Sequence, residues 1–355
     1  MSRRSPRASG GALKRILWLL LIVAIVAGAW TWQRYQGFAK APLAGIEAGD
    51  HLVVARGDSL ESVLRKLQAE GVRTGELLQW KLLARKLGAA GKLQVGEYAL
   101  EPGIDPEQLL LAMRDGKVVR RKFTIVEGWN IRDLRAALAK VELLEHASKD
   151  MDDAALMRAL DHAGQHPEGR FLPETYAWVR GDSDLDVLRR AWQAMDKALD
   201  AAWLSRAEDL PLKSEDEALT LASIIEKETG IAEERPAIAG VFERRLKIGM
   251  RLQTDPTVIY GMGSAYAGNI RRGDLATDTP YNTYTRDGLP PTPIAMPGVA
   301  ALRAATHPAD GDALYFVAVG DGSGRHVFTR SLAEHQLAVR DYLQRYRAQQ
   351  QAVPK

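Results

Sequence analysis

No cysteine occurs in the 355 residues. A thiol nucleophile, a zinc–cysteine site and a disulfide framework are therefore excluded, and such a chain is at ease in an oxidising compartment. Acidic residues are absent before Glu47, yet Lys and Arg outnumber Asp and Glu by only 48 to 45 over the whole chain. The basic excess is thus local. A nucleic-acid-binding protein would carry a basic stripe along its folded part, so that partner class is set aside. Also missing are a Gly-x-Ser-x-Gly elbow, a P-loop, a dinucleotide fingerprint, internal repeats and low-complexity tracts. Histidine is scarce. His162 and His166 have the i, i+4 spacing of a metal pair, but Gly164 and Pro167 interrupt the helix such a pair needs. No metal and no cofactor is expected.

What is present is ordinary in bulk, with 46% hydrophobic and 26% charged residues, and the length suits about two or three domains. The N-terminus is not ordinary. Residues 1–15 form a basic tail with Arg3, Arg4, Arg7, Lys14 and Arg15. An uncharged run from Ile16 to Trp32 follows, which as a helix spans about 25 Å, a little short of a hydrocarbon core. We expect a transmembrane helix over 16–33. Trp30, Trp32 and Tyr35 then form an interfacial aromatic cluster. The basic side stays in the cytoplasm, so the body is exported. A cleaved signal peptide is the rival, because Ala27-Gly28-Ala29 resembles a cleavage site. Cleavage would leave Trp30 as the new terminus and waste the aromatic belt, so a retained anchor is expected.

Small apolar residues over 37–50 read as a linker. A first module is expected over 51–117, with a strand at HLVVARG, helices over 60–70 and 74–87, a strand near Tyr98-Ala99-Leu100 and a helix over 106–115. A mostly helical middle region covers 118–212 and contains an ordered loop, EGRFLPETY, at 168–176. A third domain spans 213–347. It opens with Ser214 and Glu217 at capping-box spacing and closes with a hairpin, LYFVAVGDGSGRHVFT, and a final helix from Ser331. Residues 348–355 read as a frayed, disordered tail.

Chemistry concentrates in 219–298. On a helix over 215–229, Ala218, Leu219, Leu221, Ala222, Ile224 and Ile225 share one broad face. Glu226 lies near one edge of that face and Glu228 near the other, while Lys227 points to solvent. A carboxylate pressed against Leu and Ile has a raised pKa and can donate a proton near neutral pH. The helix alone equally admits a blander account, in which both glutamates are rim residues paired with Arg235, Arg244 or Arg245. Two loops follow that are dense in Gln253, Thr254, Asp255, Thr257, Tyr260, Tyr281, Asn282, Thr283 and Tyr284. Tyrosine offers a flat face with a hydroxyl, and Asn and Gln offer paired donors and acceptors, which suits sugar rings. Ordinary turns at Asp255-Pro256 and Gly288-Leu289-Pro290 are the competing account.

LASIIEKET, MRLQTDPTVIYGMG, YNTY, GLPPTPIAMPG and EGRFLPETY together resemble the signature of the YceG-like endolytic murein transglycosylases, in order and over nearly the whole chain. The resemblance implies an α+β protein: one N-terminal transmembrane helix, a LysM-like module with GDSL at its first helix, then a YceG-like catalytic domain. It implies cleavage of peptidoglycan between MurNAc and GlcNAc to leave 1,6-anhydro-MurNAc, with Glu226 as the catalytic acid and Glu228 in support. Gln253, Asp255, Tyr260, Tyr281, Asn282 and Tyr284 become candidates for glycan contact. The expected setting is the inner membrane with the body in the periplasm, and the expected partners are glycan strands and, from that placement, peptidoglycan synthases. Two alternatives remain open: an anchored glycan-binding module without catalysis, and a hydrolase using two carboxylates.

Overall fold

The computed structural model describes residues 10–352, with side-chain surroundings from 14 to 348. Arg3, Arg4 and Arg7 of the basic tail and residues 353–355 of the expected disordered tail lie outside the described residues. The chain divides into two compact units, Met1–Arg121 and Lys122–Lys355.

The first unit opens with a long helix, α1 (Gly10–Lys40), whose portion Lys14–Lys40 is long and apolar enough to cross a membrane. Strands β1 (Asp50–Val54) and β2 (Gly96–Leu100) pair antiparallel, with Leu52 opposite Tyr98. Between them run α2 (Leu60–Ala69) and α3 (Leu77–Lys86), and α4 (Pro106–Asp115) follows. Ser59 and Asp105 cap α2 and α4 by accepting backbone N–H groups that the first turn leaves free. Leu52, Val63, Leu67, Trp80, Leu83, Leu109 and Met113 fill the core. The expected linker over 37–50 is in part neither loose nor exposed. Helix α1 continues to Lys40, and Ala39 and Leu43 are buried in the core. Small apolar residues read as a linker by composition, but Ala39 and Leu43 belong to the same buried cluster as Trp80.

The boundary between the units falls at the first residue of β3 (Arg121–Thr124), which pairs with β4 (Thr175–Trp178). Helices α5 (Ile131–Leu138), α6 (Asp153–Ala159) and α7 (Asp184–Leu204) make up the middle region. Then come α8 (Glu215–Glu228), α9 (Arg235–Lys247), α10 (Asp255–Met262), α11 (Arg272–Ala276) and α12 (Val299–Thr306). The antiparallel hairpin β5 (Tyr315–Ala318) and β6 (His326–Thr329) precedes α13 (Leu332–Ala352). Helix thus extends into the region expected to be a disordered tail.

Helix α8 is the centre of this unit. Every residue from 218 to 225 is buried, Thr220 and Ser223 included. The sequence pattern indicates one broad apolar face, but α7, α9 and α12 surround the helix, so it is buried on all sides. Thr220 and Ser223 are tolerated because their hydroxyls donate to the Asp216 and Thr220 carbonyls. Each buried Leu or Ile contributes about 1.5–3 kcal/mol. At the helix start the expected capping box is half formed. Ser214 Oγ accepts from Glu217 N at 3.2 Å, whereas the Glu217 carboxylate takes Lys213 N at 2.6 Å.

Candidate functional site

The last turn of α8 carries both glutamates, 200° apart around the helix axis, and they enter different surroundings. Glu226 has a side chain only 4% exposed. Its Oε2 accepts the backbone N–H of Gly298, the N-cap of α12, at 3.0 Å. Its Oε1 accepts from Arg235, at the start of α9, at 3.0 Å. The same guanidinium nitrogen lies 3.6 Å from Glu127, whose side chain is half exposed. The bland account therefore describes Glu226 correctly in part, since an arginine does pair with it. Burial pushes the Glu226 carboxyl upward, with Glu127 adding to the effect, while the Gly298 N–H and Arg235 pull the other way. The positive end of α12 faces it, so a carboxylate formed here meets a helix N-terminus.

Glu228 faces Thr254, whose hydroxyl donates to it. Burial, with the neighbouring Asp255 charge, drives its carboxyl to about 7 against the pull of Thr254, His326 and Arg245. Thr254 N in turn donates to Thr283 Oγ1, which also bonds Thr257 Oγ1 at 2.9 Å. Glu228 thus belongs to a buried threonine network joining the two polar loops. Lys227 is exposed, yet it does more than point to solvent, because its Nζ donates to the Gly128 carbonyl at 3.1 Å.

Among the described residues, the polar partners of Glu226 are Arg235 and Gly298, and none of the six loop candidates bonds it directly. The candidates gather elsewhere. Asp255 accepts the Tyr284 hydroxyl at 2.6 Å, beside Glu228. Gln253 is exposed and held in the left-handed region at φ 48° between the buried Leu252 and Thr254. A non-glycine there costs on the order of 1–3 kcal/mol and persists only where its surroundings enforce it, a pattern common at ligand sites. Tyr260 and Tyr281 meet edge to face at 4.8 Å. The Tyr260 hydroxyl donates to Glu168 at 2.9 Å, Arg132 lies over its ring, and Tyr281 bonds Thr292 at 2.8 Å. Asn282 is buried and serves the loop itself. Its Nδ2 donates to the carbonyls of Leu275 and Thr277, and its Oδ1 accepts Tyr284 N. The sequence pattern groups Asn282 with the other candidates for glycan contact because a buried amide and an exposed one look alike in one dimension.

Glu127, Gly298 and Glu168 are the neighbours that the sequence reading missed or assigned no role, and Arg235 entered it only as one of three possible pairing partners. Glu168 is fully buried, accepts Ile131 N at the start of α5 at 3.0 Å, and is driven by burial to about 7. The EGRFLPETY loop was a visible signal for it: the adjoining Gly169 sits at φ 79°, and a Cβ there would come within 2.6 Å of Pro293. That approach stacks the 168–176 loop on the TPIAMPG loop, whose Ile294 N donates to Ser223 of α8 at 3.0 Å and whose Gly298 reaches Glu226. The two histidines with metal-like spacing are used otherwise. His162 stacks on Trp192 at 4.0 Å, and His166 Nδ1 accepts Glu168 N.

Comparison with known proteins adds the following. Residues 52–341 match the YceG-like family. An endolytic murein transglycosylase of Bacillus subtilis (strain 168) is 31% identical over 307 residues, covering 82% of this chain and 84% of that protein. One from Streptococcus pneumoniae serotype 2 is 28% identical over 282 residues, covering 68% of this chain and 51% of its own length. A crystal structure of a yceG-like protein from Listeria monocytogenes superposes with a TM-score of 0.51 at 28% identity, covering 81% of this chain and 98% of that one.

Proposed function

Because the chain belongs to the YceG-like family, we propose that it is a membrane-anchored endolytic lytic transglycosylase of peptidoglycan with Glu226 as its acid and base. The observation that carries this reading is the double environment of Glu226. Burial favours the neutral acid, while the Gly298 N–H and Arg235 favour the carboxylate. A catalyst that must give a proton and then take one back works best when neither state dominates.

In the first half of the reaction, neutral Glu226 protonates the glycosidic oxygen between MurNAc and GlcNAc as positive charge develops at the anomeric carbon. The GlcNAc side departs with that proton. The new carboxylate is received by Arg235 and by the N-terminus of α12. It then accepts the proton of the same MurNAc's C6 hydroxyl, whose oxygen closes onto the anomeric carbon as the 1,6-anhydro ring. No water enters the products, and one carboxyl group suffices where hydrolases use two.

Glu228 supports from the other edge of α8 by tying the helix to Thr254 and the loops. Glycan contact falls to Gln253, Asp255, Tyr260, Tyr281 and Tyr284, with Asn282 shaping their loop. Helix α1 crosses the inner membrane at 16–33 with its N-terminus in the cytoplasm and the body in the periplasm. Beyond the span, Tyr35, Phe38 and Ala39 continue α1 into the core of the first unit. Residues 51–117 form the LysM-like module, 118–212 the helical middle region and 213–347 the catalytic domain. Tethering to the membrane suits trimming of nascent strands beside their synthases, and a pull-down from intact envelopes that recovers no synthase would count against that partnership.

A second reading is favoured by Glu127, a half-exposed carboxylate 3.6 Å from Arg235. It could activate water in a hydrolase. Mass spectrometry of products from intact glycan strands separates the readings. Internal fragments ending in 1,6-anhydro-MurNAc, absent with Glu226→Gln, are expected. Hydrated reducing ends that vanish with Glu127→Gln would make the protein a hydrolase. Strand binding without cleavage, indifferent to Glu226→Gln, would make it a binding module.

A further inference from the structure

The outward face of α3 carries an arrangement that the catalytic reading does not use. Leu78 and Leu82 are 64% and 50% exposed and lie one turn apart on the same face. Lys81, Arg85 and Lys86 flank them, all exposed. No acidic residue occurs between Glu76 and Glu97. The opposite face is the one that packs, through Trp80, Leu83 and Ala84. Two large apolar side chains ringed by cations suit neither water nor the core.

The position of α3 relative to α1 says what covers this face. Phe38 of α1 meets Trp80 edge to face at 5.5 Å, Lys86 Nζ sits 5.7 Å over the Tyr35 ring, and Arg34 pairs with Glu76 at 3.2 Å. Gly28, Thr31, Trp32, Tyr35, Leu82 and Lys86 together line a groove of about 400 Å³. Three of its walls belong to the end of the apolar run. Tyr35 lies only about 4.5 Å further along the axis than Trp32. If 16–33 spans the bilayer, the level of Trp32 and Tyr35 is the headgroup layer, and Leu82 is at that level too.

We infer that the exposed face of α3 is a membrane-contact surface. Leu78 and Leu82 dip into the outer leaflet beside the anchor, and Lys81, Arg85 and Lys86 engage anionic phospholipid headgroups. This is the arrangement of an interfacial amphipathic helix, here held in place by packing against a spanning one. The long lysine and arginine stems let their charges reach the phosphates while their methylenes follow the leucines down. The first unit is then seated on the bilayer, with no freedom to swing on its anchor. The inference rests on reading α1 as a retained anchor.

The absence of cysteine makes the test direct, since any introduced cysteine takes one spin label. The full chain is reconstituted in vesicles of phosphatidylglycerol and phosphatidylethanolamine, with labels at Leu78→Cys, Leu82→Cys, Ile25→Cys in the anchor and Asp209→Cys as the water reference. Collision with oxygen is compared with collision with a water-soluble nickel chelate. The oxygen-to-nickel ratio at Leu78 and Leu82 is expected severalfold above that at Asp209 and below that at Ile25. It should fall towards the Asp209 value in vesicles of phosphatidylcholine alone. A ratio at Leu78 and Leu82 equal to that at Asp209, with Ile25 immersed, overturns the inference and leaves the anchor intact. Strong dipolar broadening between labels at Leu82 overturns it in favour of a second copy of the chain. A water-like ratio at Ile25 overturns the anchor and this inference together.

Discussion

Replacing Arg235 with Met removes the cation from Glu226 while keeping a side chain of similar reach. The lost contact is a charge-assisted hydrogen bond of 3.0 Å between two groups that are 9% and 4% exposed. Hydrogen bonds to charged groups are worth about 1.5–3 kcal/mol. Losing that stabilisation of the carboxylate raises the Glu226 pKa beyond its already raised value. Neutral Glu226 starts the reaction, so the alkaline limb of kcat/KM against pH should move to higher pH. The acid will be retained to higher pH but will generate a poorly stabilised carboxylate, so the plateau rate should fall. Glu127 adds to the shift, because it also loses its cation and its like charge weighs more on Glu226. The assay is release of anhydro-ended fragments across the pH range. An alkaline limb that stays put, or moves to lower pH, would refute the assignment of Glu226 as the proton donor and of Arg235 as the group that tunes it.

Glu226→Gln should abolish turnover, whereas Glu228→Gln should only reduce it, and equal losses in single-turnover assays would upset the division of roles. The same Glu228→Gln change should alter stability in a pH-dependent way. Glu228 and Glu168 are raised to about 7 from an ordinary 4.5. Their stabilising contribution is therefore complete below about 4.5 and is lost as pH rises through about 7. Removing the Glu228 share, roughly 3 kcal/mol, should flatten the fall in urea midpoint over that window. Gly169→Ala puts a Cβ 2.6 Å from Pro293 at a backbone φ of 79°. It should cost at least about 1 kcal/mol in denaturant unfolding, with activity lost early because the TPIAMPG loop is displaced from Glu226. Tyr260→Phe withdraws the hydroxyl from a fully buried carboxylate and should cost about 1–3 kcal/mol. No change in denaturant midpoint would mean that Glu168 is held by the α5 N-terminus alone.

Much of this was legible in one dimension because the signals are local. The apolar run of α1, the Ser214 start of α8 and the hairpin at 314–329 each follow from neighbouring residues. The spacing of Glu226 and Glu228 around α8 follows from helix geometry. Other features join residues far apart in sequence. Arg235 was a named partner for either glutamate, but nothing local selects Glu226 over Glu228. Gly298 meets Glu226 across 72 residues, and Glu168 meets Tyr260 across 92. Asn282 shows the converse, in which an amide counted among the glycan-contact candidates braces its own loop.

Sequence alone was enough to point to the family: a cysteine-free chain with an apolar N-terminal helix, an acidic pair at the end of an apolar helical run, and several motifs in a fixed order. These depend on residue identity and on periods of a few residues, which the covalent chain carries. Tertiary structure decided which glutamate meets a cation and a helix N-terminus and which is locked into threonines. It also drew part of an apparent linker into the core and left the leucines of α3 uncovered. Those outcomes depend on which surfaces remain for water after the helices have packed, and burial is a property of the assembled fold.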